Sequence, residues 1–149
     1  MKKSNTKNNE QMNLEETKSE ELVTFNYQSA FDRFFVQLNI GSLEEVLKRN
    51  PGIQVAKGSG TAFTVTCDGL YGALIWMPAL MDDADCIATL FHEIVHASKI
   101  RFNKNAMRMD DELGEALAYS VSEIGEFFLL KMREWQMDIA EGNGAKKSY

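Results

Sequence analysis

A chain of 149 residues is long enough for one domain with a real core and short for two ordinary ones. With 44% hydrophobic and 26% charged residues it reads as soluble and globular, and a net charge of −6 without a basic stripe argues against a general nucleic-acid binder. Cys67 and Cys86 form no C-x-x-C pair and are too few for a disulfide scaffold, which points to thiols in a reducing compartment.

Residues 1–21 are rich in Lys, Asn, Glu, Ser and Thr, and predict a disordered tail or a partner-docking arm. No apolar stretch follows Met1-Lys2-Lys3, so no secretory signal is expected. No run approaches the ~18 residues of a membrane span. The expected location is therefore the cytoplasm. Order is expected from about Leu22, giving one domain over 22–141 and a flexible tail over 142–149. Phe31, Phe34, Phe35 and Leu38 stand at i, i+3, i+4 and i+7, and predict a helix from about Gln28 to Asn39. Ser42-Leu43-Glu44-Glu45 is a capping box that opens a short helix, and Asn50-Pro51-Gly52 stops it near Arg49.

The period then changes. Thr61 to Cys67 and the apolar run Ala73 to Met77, separated by Asp68-Gly69, predict an antiparallel hairpin, and Pro78 closes it. Ile53 to Ala56 is a candidate third strand. Asp82 and Asp83 are N-terminal signals for a helix from about Asp83 to Ile100. Asn103-Lys104-Asn105 reads as loop. A long helix is expected from about Asp111 to Ile139, with Asp110 as its cap and Gly142 and Gly144 closing it.

The first of these two helices carries His92-Glu93-Ile94-Val95-His96, an H-E-x-x-H pattern. Helical i and i+4 positions lie about 40° apart around the axis, so the two imidazoles project side by side and can hold one Zn2+. Glu93, about 100° round from His92, can reach metal-bound water without taking a ligand position. The chain has two histidines and both fall here. Composition alone would produce that on the order of once in a thousand such chains. Ile87, Leu90, Phe91, Ile94, Val95 and Ala97 cover one arc of the helix, and Thr89, His92, His96 and Lys99 the other.

With the motif followed by Gly114-Glu115-Ala116-Leu117-Ala118-Tyr119, the chain resembles the gluzincin branch of H-E-x-x-H metallopeptidases, and small phage- and bacteria-encoded zincin-like proteins in particular. The resemblance runs from about Ala73 to Glu126. It implies a minimal zincin-like α+β fold, with a small antiparallel sheet packed on the motif helix and the long C-terminal helix. It also implies Glu115 as the third metal ligand, leaving one position open for water. Glu112 is the runner-up, and Cys86 lies far round the motif helix from His92. The acidic residue that the family carries four positions after its glutamate ligand is Tyr119 here. Tyr119 is a candidate donor to the reaction's oxyanion, or a core residue. Leu113, Leu117, Val121, Ile124, Phe128 and Trp135 form the apolar face of the last helix; Glu115, Tyr119, Ser122 and Glu126 share another. Glu112, Glu115, Glu123 and Glu126 also read as one solvated face.

The expected activity is zinc-dependent hydrolysis of peptide bonds, with Glu93 as general base and a peptide or protein as substrate. In zincins an edge strand above the motif helix pairs with an extended peptide; Ala73 to Met77 could serve, or could be an inner strand. The other reading is a zinc-binding interaction or regulatory protein of this fold without catalysis.

Overall fold

A computed structural model describes residues 22–55, 62–67, 69–78, 84–105 and 111–142, with the side chains of 111–113 left aside. The expected tail at 1–21, all but Gly142 of the expected tail at 142–149, the caps Asp82, Asp83 and Asp110, Thr61, Asp68, Gly144, and the side chains of Glu112 and Leu113 lie outside the described residues. The fold is α+β, with a mixed four-stranded sheet and three helices.

The chain opens with a hairpin in place of the helix expected over Gln28–Asn39. Strands β1 (Val23–Gln28) and β2 (Phe35–Ile40) pair antiparallel, from Val23 opposite Ile40 to Gln28 opposite Phe35. The apolar residues fit two periods at once. Phe34, Val36, Leu38 and Ile40 also alternate, and all four are buried. Phe31, assigned to the helical face, is 90% exposed, and Arg33 has φ 62, in the left-handed region that a helix does not tolerate.

Helix α1 (Leu43–Arg49) starts as its capping signal dictates: the Ser42 hydroxyl accepts from the Glu45 amide at 3.4 Å. Ile53 to Val55 is not a strand, and residue 56 lies outside the described residues. The hairpin of β3 (Phe63–Thr66) and β4 (Gly72–Met77) forms as expected. The sheet is not purely antiparallel, however, because β4 runs parallel to β2 in the order β1-β2-β4-β3. Hence β4 is an inner strand, and β3 is one edge, with β1 the other. The continuous apolar run of β4 follows from having both faces covered. Ala73, Ile75 and Met77 enter the main core, while Leu74 and Trp76 join Leu22, Val46 and Phe63 beneath α1.

Helices α2 (Ala84–Lys104) and α3 (Asp111–Ala140) cover the other face. Helix α2 runs through Asn103 and Lys104, which were expected in a loop. Leu90, Ile94 and Ala97 pack on the sheet with Ile124, Phe128 and Met132 of α3. Ser98 meets Ser120, whereas Phe91, two turns earlier, lies over Gly125, so the helices run antiparallel. Gly142, with φ 77, takes the left-handed conformation just past the end of α3. Among the described residues no helix is long and apolar enough to cross a membrane.

Candidate metal centre

The core takes up Leu90, Ile94 and Ala97 of the apolar arc of α2 but leaves Ile87 41% exposed, and His92 and His96 are exposed on the arc opposite. Their Nε2 atoms are 3.1 Å apart, and their rings are inclined at 72°. Taken alone this is an N–H···N hydrogen bond, with one imidazole donating and the other accepting. The same spacing suits chelation, since two nitrogens at about 2.0–2.1 Å from one tetrahedral ion lie about 3.3 Å apart. With both imidazoles neutral and both Nε2 atoms unprotonated, the two nitrogens are spaced as two ligands of one ion, and imidazole is a donor type zinc takes. The pair fits that ion as two of its ligands.

Glu93 turns the other way. It is 6% exposed and faces β3, where the Thr64 hydroxyl lies 2.6 Å from its Oε2 and 3.0 Å from its main-chain oxygen. The carboxylate therefore lies between the helix and the sheet edge, on the side of α2 turned away from the exposed histidine rings.

Glu115 is exposed on α3 and is not gathered with the histidines. Ser120 faces Ser98, so Glu115 lies beyond Ser98 toward the C-terminal end of α2, while His96 lies toward the N-terminal end. Adding the two offsets at 1.5 Å per residue puts about 10 Å along the axis between them. Among the described residues, no three His, Cys, Asp or Glu form a group that could hold a metal. Tyr119 is 74% exposed and is not a core residue. It lines a cleft of about 390 Å³ at the far end of α2, with Asp32, Arg101, Asn105, Ser120 and Glu123. Cys86 is half-buried in the first turn of α2.

The strongest electrostatics belong to that far end. Arg101, 9% exposed, forks onto Asp32 through Nε at 2.7 Å and Nη2 at 3.0 Å, and donates to Ser29 and Ser120. Burial raises the Asp32 carboxyl, but hydrogen bonds from Arg101, Ser29, Tyr71 and the Phe34 amide outweigh it and hold the group well below its ordinary value. Burial likewise lowers the Arg101 guanidinium, and Asp32 more than reverses it. Tyr71 donates to Asp32 at 2.9 Å and accepts from Asn105 at 2.6 Å. This cluster ties the β1–β2 turn to both long helices. No spacing signal announces it, because Asp32 and Arg101 are remote in sequence. Thr64 is equally silent: in the sequence it is one β-branched residue of a strand.

No protein-family model, curated protein or solved structure matches this chain.

Proposed function

We propose that the protein is a zinc-dependent hydrolase of zincin type, a metallopeptidase cleaving peptide bonds. The observation that carries this reading is the convergence of the His92 and His96 Nε2 atoms at 3.1 Å, with Glu93 held in the same helical turn. In this reading His92 and His96 hold the ion, and Glu115 or Glu112 supplies the third protein ligand. Zinc, when bound, acidifies a water and polarises the substrate carbonyl. Glu93 takes the proton of the attacking water on Oε1, the oxygen that Thr64 leaves free, and passes it to the departing amine. The edge of β3 beside Glu93 offers an extended peptide its main-chain hydrogen bonds. A cytoplasmic setting belongs to the same proposal.

One observation favours a second reading, a zinc-binding interaction or regulatory protein without catalysis: Glu115 and Tyr119 stand toward the other end of α2, away from the histidines. Metal analysis and one variant separate the two. Protein purified without chelators is expected to carry about one zinc per chain, and His92→Ala to lose it. Wild-type protein without zinc would overturn both readings. Glu93→Gln is expected to keep the metal and to slow cleavage of a peptide library by about 100-fold or more. Cleavage at the wild-type rate would remove Glu93 from the chemistry, and no cleavage by the wild type would leave the binding reading.

A further inference from the structure

Thr64 makes two contacts to a single residue across the gap between sheet and helix. Its hydroxyl is 2.6 Å from Glu93 Oε2 and 3.0 Å from the Glu93 main-chain oxygen. A hydroxyl carries one proton. The shorter contact falls in the range of O–H···O− bonds, about 2.5–2.7 Å, so the carboxylate is the principal acceptor. The longer one places the same oxygen against the α2 backbone, which fixes the carboxylate relative to its own helix. Thr64 is well built for this. Phe63 beside it is buried in the smaller core, so the strand's alternation turns Thr64 to the α2 side, and Ile75 of β4 is its pairing partner. A β-branched side chain in a strand also has little freedom at χ1.

The contact matters because of where Glu93 would otherwise go. Glu93 and His96 are an i, i+3 pair, hence neighbours on the helix surface. A carboxylate released from β3 can swing onto an ion held by His92 and His96, and would then be a ligand and no longer a base. We infer that Thr64 is a positioning residue that keeps the Glu93 carboxylate off the metal, so that the site retains an open position and a base beside it. This rests on the proposed metal site.

Zinc and cobalt(II) binding to the full-length protein test it without a substrate. Thr64→Val removes the donor and keeps the branched shape; Thr64→Ala does so without the added methyl, should the valine variant not fold. Either variant is expected to bind zinc about tenfold more tightly. Each should also lose visible cobalt absorbance as the carboxylate joins the ion and raises its coordination number. Thr64→Ser should match the wild type. In a Glu93→Gln background, Thr64→Val should change neither readout, whereas a packing role would persist there. Wild-type cobalt spectra and zinc affinity in both Thr64→Val and Thr64→Ala, or a Thr64→Val effect that survives Glu93→Gln, would overturn the positioning role and leave the metal site standing. A wild-type chain that binds neither metal would overturn the site itself, and this role with it.

Discussion

Gly72 lies opposite Phe35 in the β2–β4 pair, and a Cβ built there would fall 2.3 Å from the Phe35 ring. The ring occupies the space that a side chain would need, on a strand buried on both faces. Gly72→Ala must therefore displace Phe35 or the strand, and is expected to cost about 1–3 kcal/mol. Urea unfolding reads this directly; a wild-type midpoint would mean that the ring swings clear at no cost. Single residues also decide the first hairpin. Arg33 at φ 62 turns the chain, and Phe31 is left at the surface when Phe34 goes inside. The sequence around them satisfies the helical period and the strand period together, so periodicity had no means of choosing.

Among the elements, α2 has two ends with different tasks. Its histidine turns carry the candidate metal pair, and its C-terminal turn is bolted to the β1–β2 turn and to α3 through Arg101. Removing Arg101 leaves Asp32 without its fork partner, and Arg101→Ala is expected to cost about 3 kcal/mol in chemical denaturation. The pH dependence follows from the lowered Asp32 pKa. The folded state binds fewer protons than the unfolded one as pH falls below the ordinary value of 3.8. The contribution of Asp32 is thus complete above that pH and fades beneath it, toward the folded value. The stability gap between wild type and Asp32→Asn should be full at neutral pH and shrink below about pH 4. A gap unchanged into strong acid would show that the pair holds no linked proton.

The whole molecule sets the remaining question, the third ligand. α3 packs antiparallel to α2, with Ser120 against Ser98 and Gly125 under Phe91. That register carries Glu115 toward the C-terminal end of α2, away from the histidines. For Glu115 to complete the site, the first turns of α3 must shift toward His96, which makes zinc binding and helix packing one event. Glu115→Ala is expected to weaken zinc by about tenfold or more. Unchanged affinity would pass the third position to another group, Glu112 first.

Much of this fold could be read from residues that act locally. The Ser42 cap, the turn at Gly69, Pro78 after β4 and the two long helices each depend on backbone chemistry within a few positions, and each is written in the sequence. The placing of His92 and His96 on one helical face is of the same kind, since 3.6 residues per turn settles it. Tertiary structure alone decided the rest. The exchange of a helix for the β1–β2 hairpin, the inner position of β4, the clip of Thr64 on Glu93 and the fork of Arg101 on Asp32 all join segments remote in the chain. Such pairings are selected by what the assembled sheet and helices can bury and hydrogen-bond together, and no local pattern encodes that choice.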